Sequence, residues 1–304
     1  MRNDYIAQQL VKTGAFTDLE HPVILASGQL GIYYINTEKL FEDKGQWKVY
    51  GDNDPAMVQH ATAMMVRNPS FEKVIENIAG EVGQLADLLP QIKNIVISGG
   101  QRRDWLFSGP VAAQLGLPHI SLYKDGRVNI IEPNGKIRKD HSLEGIYAVH
   151  LVDLITEGSS ILSLDETEGW VPTLRKHGAT IHDLYSIVSR RQNGEERLAR
   201  VGVVCQTFST INEGFLKQYS SNPDRAVEYH RDPDQWSRQY LREHGALAVV
   251  DTFNPYGKNL PRARKFIDRY ESLLEEIDRI EELDETIYKN WGMHLERALS
   301  SDFS

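Results

Sequence analysis

Ala148-Val149-His150-Leu151-Val152-Asp153-Leu154-Ile155-Thr156-Glu157-Gly158-Ser159-Ser160 is an apolar run that meets one carboxylate and ends in small residues. A run this apolar predicts a strand buried on both faces of a parallel sheet. Ile161, Leu162, Leu164, Trp170, Val171 and Leu174 follow at helical spacing, which predicts that residues 156–160 open a helix. Unpaired backbone N–H groups and the positive end of a helix dipole converge there, a setting suited to a phosphate monoester. Asp153, at the end of the run, is placed to accept hydrogen bonds from sugar hydroxyls or to hold a hydrated Mg²⁺. Taken alone, the same letters spell an ordinary strand-to-helix turn with a serine cap. The neighbouring segments decide.

The chain has 304 residues, of which 40% are hydrophobic and 25% charged, with a net charge of −9. That balance describes a globular protein with a sizeable core and argues against non-specific nucleic-acid binding or a basic membrane-surface role. No apolar run approaches the roughly 20 residues of a membrane span, and Met1-Arg2-Asn3-Asp4 lacks a signal-peptide core. The expected compartment is the cytoplasm. The single cysteine, Cys205, excludes an internal disulfide, and its Val203-Val204 setting reads as core.

Tyr5–Val11 reads as a short amphipathic helix, and Pro22–Asn36 as a hairpin around Ser27-Gly28 with Tyr33 and Tyr34 in its second strand. Glu42–Asp54 reads as a loop. Ala56–Val66 and Phe71–Leu89 read as helices, with Ser70 a cap for the second. Ile92–Ser98 reads as a strand ending in Gly99-Gly100, and Trp105–Leu115 as a helix. Arg102 and Arg103, between the two, are placed for charge-assisted phosphate contacts. Pro118–Lys124 is a further strand, and Arg127–Ile131 with Lys136–Arg138 forms a hairpin through Asn134-Gly135. Ile181–Val188 is a buried strand running into Arg190-Arg191. From Ser220 the pattern changes to charged helices, with a stripe over Arg264–Leu283 and no catalytic signature. His230, His244 and His294 lack ligand spacing.

In this order the segments resemble type I phosphoribosyltransferases, most closely the orotate phosphoribosyltransferases. Asp153 with Thr156, Glu157, Gly158, Ser159 and Ser160 resembles the loop that binds PRPP. Gly-Ala-Phe at 14–16, Ser27-Gly28 and Tyr33-Tyr34 resemble the hood that binds the flat base. Lys136-Ile137-Arg138-Lys139-Asp140-His141 resembles the loop that closes over the active site. The resemblance implies catalytic roles for Lys139, His141 and Asp153. It implies PRPP contacts from Arg102, Arg103, Lys124, Asp153 and residues 156–160, and base contacts from Ser27, Gly28, Tyr33, Tyr34 and Arg191. It also implies Mg²⁺ held at Asp153, and a homodimer whose substrates are PRPP and a nucleobase. The departures are Val152 at the first acidic position, Glu157 inside the loop, Ala26 and Gln29 where the family has basic residues, Ser142 for glycine and Arg190 for aspartate.

The expected fold is therefore α/β: a mainly parallel twisted sheet with helices on both faces, a small N-terminal hood over about 1–40, and a helical C-terminal extension. The expected division is a phosphoribosyltransferase-like domain at 1–219 and the extension at 220–304. The expected function is transfer of phosphoribosyl from PRPP to orotate or a pyrimidine-like base. Two alternatives remain open: a non-catalytic PRPP- or nucleotide-binding regulator of the same fold, and a transferase for a different base.

Overall fold

A computed structural model describes residues 4–25, 27–88, 92, 94–138 and 142–300. In chain order the elements begin with α1 (Tyr5–Lys12), β1 (Phe16–Ile24), β2 (Leu30–Ile35), α2 (Glu38–Phe41), α3 (Asp54–Arg67) and α4 (Pro69–Leu88). Then come β3 (Ile95–Gly100), α5 (Trp105–Leu115), β4 (His119–Leu122), β5 (Val128–Ile131), β6 (Ile137–Arg138) and β7 (Tyr147–Ile155). They continue with α6 (Trp170–Lys176), β8 (Thr180–Ser189), α7 (Gly194–Arg200), β9 (Val204–Thr210) and α8 (Glu213–Tyr219). The rest is α9 (Pro223–Arg231), α10 (Pro233–His244), α11 (Leu260–Glu276), α12 (Ile280–Trp291) and α13 (Leu295–Ser300). Contacts group the chain into two units, Met1–Ala15 with Asn36–Asn212, and Phe16–Ile35 with Glu213–Ser304.

The first unit is built on a seven-stranded sheet in the order β6-β5-β4-β3-β7-β8-β9. β4, β3, β7, β8 and β9 run parallel, and β5 and β6 add an antiparallel edge through the expected hairpin. Successive residues of a strand face opposite sides. A Cβ on Gly99 would lie 2.1 Å from Ser108 Oγ of α5, and one on Gly100 would lie 2.2 Å from the Trp170 ring of α6. Helices therefore cover both faces, and both glycines are required by close packing. Val96, Ala148 and Val152 share one core cluster with Trp170, Val171, Leu174 and Leu198.

Local chemistry sets several boundaries differently from the sequence reading. The cap of α4 is Asn68, whose Oδ1 accepts from Ser70 N and Phe71 N at 3.0 and 3.1 Å, so Ser70 lies inside the helix. Residues 42–54 are not one loop: a 3₁₀ turn spans Gln46–Tyr50, and Asp43 accepts from Gly45 N and Trp47 N. The largest departure follows Ser160. No helix starts there; α6 begins only at Trp170, and Leu164 is 88% exposed. Ile161 and Leu162 are buried in the same cluster as Trp170 and Val171, so the apolar spacing records two arms of a loop packing on one core.

The second unit joins the β1–β2 hairpin to the C-terminal helices. Ile24 and Leu30 share a core cluster with Leu241, Phe253, Phe266, Tyr270 and Leu274. The hairpin thus groups with residues 213–304, whereas the sequence reading placed it with 1–219. The acid–base stripe read over Arg264–Leu283 is two helices, α11 and α12.

Two buried histidines lie in the sheet of the first unit. Ser108 Oγ pairs with His119 Nε2 at 2.8 Å, and Ser98 Oγ with His150 Nδ1 at 2.9 Å. Burial takes both imidazoles from the ordinary 6.5 to about 3. The unfolded chain takes up protons at these sites below pH 6.5, and the folded chain does not until about pH 3. Their contribution is therefore complete above pH 6.5 and is lost, at about 1.4 kcal/mol per pH unit for each, as pH falls below it. We expect the thermal midpoint to fall between about pH 7 and about pH 5.5, above the range where ordinary carboxylates titrate. In a His119→Gln/His150→Gln variant that slope should flatten; an equal slope would show that other groups carry it.

Candidate active site

β3 is followed in sequence by its neighbour β4 on one side, while β7 flanks it on the other, so the chain reverses direction across the sheet at β3–β7. Ligands of open parallel sheets bind at such a point, beyond the C-terminal strand ends. The turn 100–104 and the loop 156–160 both emerge there. Asp104 ties the two strand ends together: its Oδ2 accepts from Gly100 N at 3.0 Å and its Oδ1 from Asp153 N at 2.9 Å. Burial, followed by the neighbouring Asp153 carboxylate, holds the Asp104 carboxyl well above the usual range, against the opposing pull of the Asp153 N–H and Arg103. Nothing in the local sequence singles out Asp104.

Asp153 is 6% exposed, and its Oδ2 accepts from Thr37 Oγ1 at 2.5 Å and faces Arg103 Nε at 3.4 Å. Thr37, at the start of α2, carried no sequence signal. Val152, at the family's first acidic position, is 2% exposed on the opposite face, within the cluster that includes Trp170. Core packing there replaces a second acid.

The loop after Asp153 is organised by its backbone hydrogen bonds. Thr156 O accepts from Gly194 N at 3.1 Å, Gly158 O from Ile161 N and Leu162 N at 2.9 Å, and Ser160 O from Trp170 N at 3.2 Å. Arg197, on α7, donates to the carbonyls of Glu157 at 2.6 Å, Leu162 at 2.6 Å and Ser163 at 2.8 Å. The N–H groups of residues 156 to 160, in contrast, meet no acceptor among the described residues. Most of the loop carbonyls are taken up while five consecutive amides, at 156–160, have no acceptor among the described residues; consecutive free amides are the donor set of an anion-binding turn. Gly158, at φ 73°, supports this course and lies against Gly194, where a Cβ would meet Thr156 O at 2.5 Å. The Glu157 side chain is exposed and has no partner among the described residues. Arg190, considered as its partner, is 5% exposed and donates its N–H to Ile155 O at 3.0 Å.

Basic residues stand around the first turn. Arg102 Nε lies 3.9 Å from Asp52, with its guanidinium 5.8 Å from the Trp47 ring centre, and Gln101 bridges Asp52 and Lys124 N. The Gln101–Arg102 peptide bond is cis. The Arg102–Asp52 pair is exposed and weak individually, and Arg103 faces the buried Asp153. Arg191 follows β8 at φ 52°, with its Nε 3.7 Å from Glu195 Oε1. In the second unit, Tyr33 is fully buried between Phe16 and Tyr229, at 5.6 and 5.5 Å between ring centres, so its role there is packing. Tyr34 is 41% exposed and Ser27 is exposed. Gly28, at φ 83°, is required because a Cβ would lie 2.6 Å from the Lys265 backbone. Lys139 and His141, and the Ala26 departure, lie outside the described residues. Cys205 packs against the core, and burial pushes its thiol up to about 12, as a structural cysteine requires.

No family model matches the chain. In sequence it is 28% identical over 141 residues to adenine phosphoribosyltransferase of Pectobacterium atrosepticum, covering 43% of this chain and 74% of that protein. It is 32% identical over 123 residues to the enzyme of that name from Haemophilus influenzae, covering 37% of this chain and 66% of that protein. The chain spans 64% of the length of the Pectobacterium carotovorum relative. The mainly parallel sheet with helices on both faces is the α/β architecture expected from the sequence. Among solved structures, orotate phosphoribosyltransferase from Aeropyrum pernix aligns at TM-score 0.45 and 21% identity, over 70% of this chain and 98% of that one. Leishmania donovani UMP synthase aligns at 0.46 and 15%, over 78% and 42%.

Phosphoribosyltransferases generally use Mg²⁺ with PRPP. Among the described residues no group of three His, Cys, Asp or Glu side chains could hold a metal. Asp153 is a single carboxylate beside Arg103, and both Asp104 oxygens take amide donors. This donor set fits an ion that arrives on a diphosphate and keeps several waters, with Asp153 the residue to hold it.

Asp104→Asn keeps one acceptor and turns an NH₂ toward the second amide. We expect a loss of about 1–3 kcal/mol in urea unfolding, from mispairing of Gly100 N or Asp153 N. An unchanged midpoint and m-value would show that this carboxylate does not hold the strand ends.

Proposed function

We propose that the chain is a phosphoribosyltransferase that uses PRPP. The observation that carries this reading is the run of amides at 156–160 with no acceptor among the described residues, directly after Asp153 and at the same sheet end as the basic turn 100–104. In this reading those amides and the Thr156, Ser159 and Ser160 hydroxyls hold the 5-phosphate, and Asp153 accepts from the ribose hydroxyls. Arg102, Arg103 and Lys124 take the diphosphate, where charge grows as the C1–O bond breaks. Mg²⁺ bound to the diphosphate would supply further charge neutralisation. A ring nitrogen of the base forms the new bond to C1, and pyrophosphate leaves with the electron pair.

For the base, Arg191 at the end of β8 supports an acidic ring such as orotate, because its guanidinium can pair with a carboxylate. A second reading, adenine, is supported by the names of the sequence relatives. Either base must lose its ring N–H proton on transfer; the two differ in that orotate also carries a carboxylate for a basic partner and adenine does not.

The deciding experiment is pyrophosphate release from PRPP and Mg²⁺ with orotate, adenine or other bases. Release with orotate supports the first reading, and Arg191→Ala should then raise the KM for orotate at least about tenfold more than that for PRPP. Release with adenine alone supports the second. PRPP binding without release for any base would identify a non-catalytic binder. Because the Glu157 side chain is exposed, Glu157→Thr should change ribose 5-phosphate affinity by less than about tenfold. A larger gain would show that the native carboxylate obstructs the loop.

A further inference from the structure

We infer that Arg197 is the positioning residue of the phosphate loop and does the work that a following helix would otherwise do. The inference rests on the phosphate role proposed for residues 156–160. In a strand–loop–helix arrangement, the first helical turn fixes the direction of the loop amides, and the helix dipole adds positive potential. Here that helix is missing: residues 161–169 form turns, and α6 starts at Trp170.

The bracing comes instead from farther along the chain. α7 meets the loop at two places. Its first residue, Gly194, donates to Thr156 O at 3.1 Å, and Arg197, one turn on, reaches three carbonyls 34 to 40 residues earlier. Nη1 takes Glu157 O, and Nη2 takes both Leu162 O and Ser163 O. Those carbonyls flank the unpaired amides of residues 158 to 160, and the Ile161 and Leu162 amides close back onto Gly158 O. A planar fork holding them on one side leaves the intervening N–H groups directed to the other. The guanidinium also places a fixed positive charge behind the loop, where it favours an anion in front.

Lysine separates the two contributions, because its ammonium keeps the charge but cannot reproduce the planar fork. The test measures ribose 5-phosphate affinity by calorimetry for native protein, Arg197→Ala and Arg197→Lys. Amide exchange of residues 157–163 and separate KM values for PRPP and base accompany it. We expect both variants to lose about tenfold or more in ribose 5-phosphate affinity, with faster exchange across 157–163. The KM for PRPP should rise while that for the base stays within about twofold. Native affinity in a folded Arg197→Ala would overturn the inference. So would native affinity in Arg197→Lys, which would reduce Arg197 to a background charge, or an equal rise in both KM values, which would mark a general loss of structure. If Arg197→Ala fails to fold, Arg197→Lys decides alone. A native protein that does not bind ribose 5-phosphate would overturn the phosphate reading and this inference with it. Native binding with unaffected variants would overturn this inference alone.

Discussion

One buried carboxylate holds the site together. Asp104 accepts the backbone N–H of Gly100 at the end of β3 and that of Asp153 near the end of β7. Both donors lie where the sheet stops supplying ladder partners, and an amide buried without an acceptor costs about 1–3 kcal/mol. Satisfying two of them from one side chain fixes the spacing of the two loops that the proposed function assigns to one ligand. The glycines of the first loop follow from the same crowding. Gly99 lies against Ser108 and Gly100 against Trp170, so a side chain at either position would push the turn away from its neighbour.

The second loop solves a different problem. A phosphate-binding loop needs its amides on one side and its carbonyls on the other. Here the carbonyls are occupied one by one, from Gly194, from Arg197 and from the returning chain at Trp170. Glu157 is tolerated because its contact with this brace runs through its carbonyl, while its carboxylate projects into solvent. Val152 is tolerated because alternation turns it into the core, away from the face on which Asp153 meets Thr37 and Arg103.

The hairpin follows packing rather than its place in the chain. Gly28 approaches the Lys265 backbone, and Tyr33 is enclosed by Phe16 and Tyr229. Most of the residues that enclose it lie some 200 positions away in sequence.

What the sequence determined by itself was the periodic part. The strands around Ile97, Leu151 and Tyr185, the helix at Trp105–Leu115 and the Asn134-Gly135 hairpin were legible, because a buried parallel strand needs a continuous apolar run and a tight turn needs glycine. Asp153 and the small residues after it were singled out from their place among the neighbouring segments, and the structure puts Asp153 near the end of a buried strand, against Thr37 and Arg103. The tertiary structure alone decided the rest. Apolar spacing at Ile161, Leu162, Trp170 and Val171 imitated a helix because two loop arms face one core, and periodicity does not distinguish the two. Asp104, Thr37 and Arg197 act through contacts that reach 49, 116 and 34 to 40 residues along the chain. Contacts of that range leave no local pattern, since nothing in a residue's own segment states which distant backbone group it will meet once the sheet has formed.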